Sequence, residues 1–447
     1  MTRSMPSVGL LSLGCARNLV DSEIALGGLI QKGYPYCSDV NAASIAIVNT
    51  CGFTQDAKQE SIQAILELAE LKKTGHIQML IVMGCLSQRY PEEIAAEINE
   101  ADIILGTDSF ADLDTIIRAH SKTTIIKSVP RPKFLPFAAL SKQPLTPKHF
   151  TYIKISEGCI NACSYCAIPS MKGKHRSRTI DDIVLEAKQR TASGDLKEIN
   201  LIGQDTAAFG WDMNKQFLLP ELLEALAIAC PETWIRPLYA HPAHIQPKLI
   251  DVMNKYTNIC NYIDVPIEHS HPDMLKRMNR GITRIEQDKI LHSLQKSVPN
   301  LTLRTAVIVG FPGETEAEFE DLLDCMREIE FDRLGSFVYS KEEGTRAFDM
   351  GEQIPEELKQ ERFGRVMELQ ESISLKKNQK KIGQVMDVLV EEESKPEALF
   401  IGRSEGEAPE VDGQVLIKTD KSLPIGQFAK VRITDAFAHD LSGVLVN

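Results

Sequence analysis

Nowhere in the 447 residues does an uninterrupted apolar run approach the ~18 residues that a membrane-crossing helix needs. The apolar stretch at 8–13 is too short, and Arg3 ahead of it too isolated, to read as a signal peptide. Positive charge is not in excess: 50 Lys and Arg face 62 Asp and Glu, for a net −12, which disfavours a protein that coats nucleic acid. Low-complexity segments are lacking as well. These absences predict a soluble, cytoplasmic protein with no membrane partner, for which direct nucleic-acid binding is disfavoured. What is present is ordinary globular material, 43% hydrophobic and 25% charged, in a length that suits about three domains of roughly 150 residues.

Ten cysteines stand out against that background. In a reducing compartment, regularly spaced cysteines point to metal binding or catalysis rather than to disulfides. Cys37, Cys230, Cys260 and Cys325 share no pattern and read as small core hydrophobes or surface thiols. The other six form two trios.

Hydrophobic periodicity divides the chain. Short apolar runs at 8–13, 45–49, 79–83 and 103–105 look like strands buried on both faces, with helical patterns at 18–32, 54–73 and 91–100 between them. This alternation predicts an α/β domain built on an open parallel sheet with helices on both faces. Five prolines between Pro130 and Pro147, with no period around them, predict an extended linker at a domain boundary. Six strand-and-helix units follow between 150 and 348, with strands at 152–156, 198–202, 234–239, 262–265, 301–309 and 334–339. Six units suit a partial (β/α)6 barrel better than a closed barrel of eight. Residues 354–381 read as an amphipathic helix with a basic C-terminal end. From 383 to 447, about five short alternating runs, with turns at Asp412-Gly413 and Pro424-Ile425-Gly426, predict a small all-β barrel of the oligonucleotide-binding type.

Cys159, Cys163 and Cys166 form C-x3-C-x2-C directly after the first strand of the partial barrel. Three thiolates on one loop can hold three irons of a 4Fe–4S cube and leave the fourth open to a small molecule. The competing reading is zinc, which takes four ligands and would have to recruit His175. Cys15, Cys51 and Cys85 lie 36 and 34 residues apart, each following a strand of the N-terminal sheet. Strand C-termini of an open parallel sheet share one edge, where ligands bind near the switch point, so three dispersed cysteines could converge there. Gly14, Thr50 and Gly84, the small residues before them, would permit close backbone approach. Three structural cysteines at equivalent places by chance is the plainer alternative.

The loop motif, with Tyr165 in its aromatic place, resembles that of the radical S-adenosylmethionine superfamily. The resemblance implies that the open iron chelates the amino and carboxylate groups of S-adenosylmethionine. One electron from the cluster would then cleave the sulfonium and release a 5′-deoxyadenosyl radical. It also implies cofactor contacts from Gly203, Gln204 and Asp205 after the second strand and from Gly310, Gly313 and Glu314 after the fifth. Glycine-rich strand ends are equally often plain tight turns.

With two trios and a terminal β barrel, the whole chain resembles the methylthiotransferases. Their parts would fall at 1–128 for an N-terminal cluster domain, 129–148 for a linker, 149–378 for the radical S-adenosylmethionine domain and 379–447 for a TRAM domain. The implied cofactors are two 4Fe–4S clusters and S-adenosylmethionine. By the same resemblance, one S-adenosylmethionine methylates a sulfur at the N-terminal cluster, and a second yields the radical that takes hydrogen from the substrate. No side chain is assigned as a general acid or base.

Several segments decide between branches of that family. Ser12 to Asn18, Val20-Asp21-Ser22-Glu23, Cys166 to Ser170, His175-Arg176-Ser177-Arg178 and Gly203-Gln204-Asp205-Thr206 are similar to the branch that modifies an aspartate β-carbon of the small-subunit ribosomal protein numbered twelve. The alternative branch modifies tRNA adenosine and carries asparagine where Asp205 stands. Glu268 departs from the pattern, which has glutamine there. The implied partners are the ribosomal protein, free or on the ribosome, and an electron donor. Charge agrees: from Lys381 to Asn447 there are 7 basic and 12 acidic residues, which suits a basic protein better than RNA phosphates. Glu391-Glu392-Glu393 in that stretch also reads as a solvated surface run. The basic run Lys172, Lys174, His175, Arg176 and Arg178 reads as steering for an acidic group or the cofactor carboxylate, or as surface charge. A non-enzymatic iron–sulfur carrier is the alternative of another class, and sets of three thiols argue against it.

Overall fold

The structure is a computed structural model that describes residues 5–121, 123–128, 132–395 and 399–446. The start of the expected linker, Pro130 included, lies outside the described residues, as do the outermost residues of the expected terminal domains. The chain forms two compact units: Met1–Thr146 with Lys154–Arg178 and Ser340–Phe348, and Pro147–Ile153 with Thr179–Tyr339 and Asp349–Asn447.

In the first unit, β1 (Val8–Ser12), β2 (Ile45–Thr50), β3 (Met79–Gly84), β4 (Ala101–Leu105) and β5 (Ile125–Lys127) pair in parallel in that order. The sequence pattern shows the first four. The fifth is three residues long, too short for a period to register. The helices are α1 (Ala16–Gln31), α2 (Gln55–Lys73), α3 (Cys85–Arg89), α4 (Pro91–Glu97) and α5 (Leu113–Ala119). The helix expected at 91–100 thus ends three residues early, and α3, expected as a polar turn, is helical from Cys85 onward. Ile65, Leu68 and Ala69 of α2, with Ile94 of α4 and Ile98 just after it, pack on Ala46, Val48, Leu80, Val82 and Ile104 of the sheet. Strand alternation turns Ile45, Ile47, Ile81 and Ile103 to the opposite face, the side left to α1 and α5, which pack on each other.

Residues 35–37 run along β1 on the side away from β2: the Val8 N–H donates to Pro35 O at 2.8 Å and the Cys37 N–H to Val8 O at 2.9 Å. The chain therefore reverses its direction across the sheet between β1 and β2, which sets the switch point at their C-terminal ends. The described part of the proline-rich linker is no free spacer. The Gln143 N–H donates to Glu23 O and the Leu145 N–H to Glu23 Oε1, and Gly27 leaves the room that the Lys142 backbone occupies.

The second unit carries β6 (Phe150–Lys154) up to Ile153. Beyond β7 (Ser156–Glu157) and β8 (Arg176–Ser177), a short antiparallel pair of the first unit, it continues with β9 (Glu198–Ile202), β10 (Trp234–Pro237), β11 (Tyr262–Asp264), β12 (Thr302–Val309) and β13 (Arg333–Val338). These make two three-stranded sheets, β10-β9-β6 and β11-β12-β13, joined where the Ile235 N–H donates to Asn258 O and the Cys260 N–H to Ile235 O. This is the expected partial barrel of six strands. A helix at Glu356–Gln379, expected at 354–381, leads to the last domain. There β14 (Val385–Ser394), β15 (Leu399–Arg403), β16 (Val415–Lys418), β17 (Phe428–Ala436) and β18 (Leu441–Leu445) close into a barrel around Val388, Val390, Phe400, Ile417 and Val431. Among the described residues, no helix is long and apolar enough to cross a membrane.

Buried charge ties the small barrel to β9 and β10. Glu198 and Arg236 are fully buried; Arg236 Nε lies 2.8 Å from Glu198 Oε1, and Arg403 Nη2 lies 2.6 Å from Glu198 Oε2. Arg403 also reaches Glu391 at 2.7 Å, and His149 Nε2 is 3.1 Å from the same carboxylate. Glu391 is therefore not part of a solvated acidic run; only Glu392 and Glu393 are exposed. Burial raises the Glu198 pKa, but Arg403 and Arg236 outweigh it and hold the carboxyl below the usual range. A Glu198→Ala variant leaves buried Arg236 without its carboxylate and Arg403 with Glu391 alone, at a cost of about 3–5 kcal/mol. Urea unfolding checks this, and a loss below about 1 kcal/mol, the range of a surface pair, contradicts it.

Candidate metal centres

The first trio gathers at the switch point. Strand register places Ser12 beside Asn49 and Thr50 beside Gly84, so Cys15, Cys51 and Cys85 leave the sheet at one edge. Gly14 sits at φ +85°, and a Cβ there would lie 2.7 Å from Cys51 Cβ and 2.9 Å from its Sγ, so only glycine allows the approach. Short polar side chains frame the edge. Buried Asn18 donates to Leu13 O at 3.1 Å and Thr50 O at 2.9 Å, while its Oδ1 lies 3.6 Å from Cys85 Sγ. Asn49 donates to Asn18 O and Ser22 Oγ, and Ser61 Oγ both accepts from the Cys51 N–H and donates to Cys51 O. The sequence hints at these only as polar residues inside or beside otherwise apolar strand ends.

The three thiols differ electrostatically. Burial opposes ionisation of Cys15, but Arg17, with Nε 3.5 Å from Sγ, and nearby backbone N–H groups bring its pKa down to about 7. Burial pushes Cys85 up to about 12; the Lys172 charge opposes this, and Cys15 and Cys51 add to it. Burial raises Cys51 as well. Thiols that resist one another's ionisation at one edge are a donor set that a bound cation relieves, and thiolate sulfur is the ligand iron–sulfur clusters take.

The second trio lies on the loop from Glu157 to α6 (Ile168–Lys172), also in the first unit. Gly158, at φ +75°, faces the Lys174 carbonyl where no side chain fits. The backbone N–H and Nδ2 of Asn161 both point at Cys159 Sγ, at 3.4 and 3.5 Å, and the Cys166 N–H donates to Cys163 O at 3.1 Å. All three cysteines and Tyr165 are half-buried. His175 uses Nδ1 on Gly158 O at 3.4 Å and Nε2 on Ser177 Oγ at 3.0 Å, so it does not complete a zinc set. The two trios meet where Cys85 packs on Ala167 and Met171.

The basic run after the loop is no steering surface, because its charges are consumed inside the unit. Lys172 is buried against Asp21, Arg176 donates to the carbonyls of Lys172, Lys174 and Phe134, and buried Arg178 donates to Lys154 O. Of the five residues, only Lys174 is exposed.

In the second unit, Gly203, Gln204 and Asp205 follow β9. Asp205 Oδ1 accepts from the His241 N–H at 3.2 Å, and Oδ2 lies 2.7 Å from His244 Nδ1. Burial opposes the Asp205 charge, but the His244 and His241 contacts bring its pKa down to about 2. His241 is buried and its pKa falls well below the ordinary histidine value through burial and the Arg280 charge; its Nε2 has no hydrogen-bond partner among the described residues. Neither histidine is singled out by any motif. Gly310, Gly313 and Glu314 form one turn in which Glu314 accepts from the Gly310 N–H at 2.7 Å and Arg362 at 2.6 Å, and faces His269 Nε2 at 3.2 Å. Glu268 lies 3.9 Å from Arg280.

Residues 7–106 match the family described as uncharacterised protein family UPF0004, residues 153–326 the radical SAM superfamily and residues 382–446 the TRAM domain. The ribosomal protein uS12 methylthiotransferase RimO of Clostridioides difficile is 45% identical over 439 residues, covering 98% of each chain. Its counterpart from Geobacter sulfurreducens is 42% identical and covers 100% of both. The chain belongs to the RimO family. It is accordingly a methylthiotransferase of the radical SAM class, which works with a 4Fe–4S cluster and S-adenosylmethionine. The fold agrees: the methyltransferase TsrM of Kitasatospora setae superposes with a TM-score of 0.54 at 14% identity, over 74% of this chain and 72% of that one.

The sheet-edge trio yields a pH test on cluster-free protein. With a pKa of about 7, Cys15 is mostly thiolate at pH 8, while Cys85, at about 12, stays a thiol. Iodoacetamide labelling followed by peptide mass spectrometry is expected to modify Cys15 at a rate that climbs between pH 6 and 8 (about one unit either side of that pKa) and then levels. Cys85 is expected to stay unlabelled until the protein unfolds. Equal rates at the two sites contradict the assignment.

Proposed function

We propose that this RimO-family chain adds a methylthio group to the β-carbon of an aspartate of ribosomal protein uS12, using two 4Fe–4S clusters. Cys15, Cys51 and Cys85 hold one cluster, and Cys159, Cys163 and Cys166 the other. Each trio leaves one iron without a protein ligand. The observation that carries the reading is the end-to-end identity with the RimO relatives, joined to the presence of both trios in one compact unit. The domain limits 1–128, 129–148, 149–378 and 379–447 belong to the same proposal.

Held by the two trios, the clusters together with S-adenosylmethionine would supply radical removal of hydrogen from an unactivated carbon and the sulfur to replace it. Everything else falls to the chain: holding, orienting and excluding water. Asn161 donates two hydrogen bonds toward Cys159, which orient the sulfur, and Arg17 places a cation beside Cys15, where it favours thiolate over thiol. Gly203, Gln204 and Asp205 after β9, the turn of Gly310, Gly313 and Glu314, and Tyr165 of the cysteine loop are the residues we assign to S-adenosylmethionine. The orphaned Nε2 of His241 fits a polar ligand there, since a buried nitrogen without a partner is costly. An acidic chain suits a basic ribosomal protein, met with an electron donor that keeps the clusters reduced.

Intact-mass comparison of ribosomal proteins from cells with and without the gene tests the substrate. The methylthio increment is expected on uS12 and is lost in the deletion; loss of a modified tRNA adenosine instead overturns the reading. Reconstituted Cys15→Ala protein is expected to keep roughly half the iron, since one of two three-thiolate sites survives. It should still form 5′-deoxyadenosine and transfer no sulfur. Full transfer by that variant refutes the role of the sheet-edge trio.

A further inference from the structure

Four buried charges link the helix that follows Cys15 to the loop of the second trio. Asp21, in the helix that starts beside Cys15, is 3% exposed. Its Oδ1 is 2.5 Å from Lys154 Nζ and its Oδ2 is 3.0 Å from Lys172 Nζ. Lys154, fully buried, also lies 3.0 Å from Glu157 Oε2. Two carboxylates and two ammonium groups balance. Lys154 and Glu157 stand just ahead of Cys159, Lys172 closes α6 just beyond Cys166, and Met171 beside it packs on Cys85.

A buried ion set of this kind gives little net stability over apolar side chains of the same volume, because desolvation offsets attraction. What it gives is registry: an ammonium buried without its carboxylate is so unfavourable that misaligned packings are rejected. The flanks are also joined to each other by β7 and β8, but Asp21 pairs with a lysine on each flank and rides on the helix that follows Cys15. Hydrophobic contacts such as Cys85 on Met171 slide at small cost; two ion pairs converging on one carboxylate do not.

We propose that Asp21 is a positioning residue that sets the separation and facing of the two cysteine trios by fixing Lys154 and Lys172, one on each side of the loop. The inference rests on the two-cluster reading above. A misplacement of about 1 Å at a reacting centre can cost on the order of a hundredfold in rate, whereas each trio taken alone is untouched by the change.

The test uses reconstituted full-length protein with Asp21→Asn and with the charge-balanced pair Asp21→Asn/Lys154→Met, which keeps the Lys172 charge beside that of Glu157 if the single variant folds poorly. Iron and sulfide content and 5′-deoxyadenosine formation are expected to stay at the wild-type level. Methylthio product per 5′-deoxyadenosine is expected to drop by about tenfold to a hundredfold. The spin–spin coupling between the two reduced clusters in electron paramagnetic resonance should change with it. In cluster-free protein, hydrogen exchange of amides 158–172 should speed up. Asp21→Glu, which retains the charge, is expected to recover part of the product ratio. A wild-type product ratio and unchanged coupling in the balanced variant overturn the proposal, as does loss of iron from either variant, which makes Asp21 an assembly residue instead. Wild-type protein that forms 5′-deoxyadenosine but no methylthio product on uS12 refutes the functional reading itself, before any variant is made.

Discussion

Ionising several thiols at one place is the constraint on which the first unit turns. Each thiolate raises the cost of the next, and burial raises it further, as the contrast between Cys15 and Cys85 shows. The fold answers with position rather than with bases: Arg17 beside one sulfur, Asn161 beside another, and strand ends that bring Cys15, Cys51 and Cys85 to one edge. Because that edge sits at the reversal between β1 and β2, the backbone itself opens the cleft in which Gly14 approaches Cys51. A site so arranged is suited to a multiply charged metal cluster and poorly suited to proton transfer. That fits a reaction at a carbon with no acidic hydrogen.

The architecture follows from patterns that act locally. Continuous apolar runs show β1 to β4, the six-strand repeat shows the partial barrel, and alternation shows the closed barrel at the end. The two cysteine trios stand out in the sequence because one follows successive strand ends and the other is packed into a single loop. Other features escape for a common physical reason, which is that a neighbouring element, and no local period, decides them. The three-residue β5 exists because β4 offers it an edge, not because it has a period. Helix α3 begins at Cys85 once the chain leaves β3, in a place where polarity alone suggests a turn. His241 and His244 belong to no motif and acquire meaning only beside Asp205.

Charge is where sequence reading misleads most. The run from Lys172 to Arg178 looks like a basic surface, and Glu391 to Glu393 like an acidic one. Folding hides most of the first and turns Glu391 inward to Arg403 and His149. A stretch of charged letters does not say which members have a buried partner more than a hundred residues away. Lys154 meets Asp21 across 133 positions and Arg403 meets Glu198 across 205.

One device recurs in both units, a buried carboxylate gripped by two cations, and the choice of cation differs in a way that matters. At Glu198 the cations are arginines, whose planar guanidiniums direct several hydrogen bonds along fixed lines and also bind backbone carbonyls: Arg236 reaches Glu405 O and Arg403 reaches Glu407 O. That joins the small barrel firmly to β9 and β10. At Asp21 the cations are lysines, compact point charges that make few directional demands but project a field. Lys172 is therefore free to bind the carboxylate and still lower the cost of a thiolate at Cys85, which a guanidinium locked onto carbonyls would do less well. Rigid attachment is served by arginine, and a junction beside buried thiols by lysine, so the same topological answer is tuned to two different neighbours.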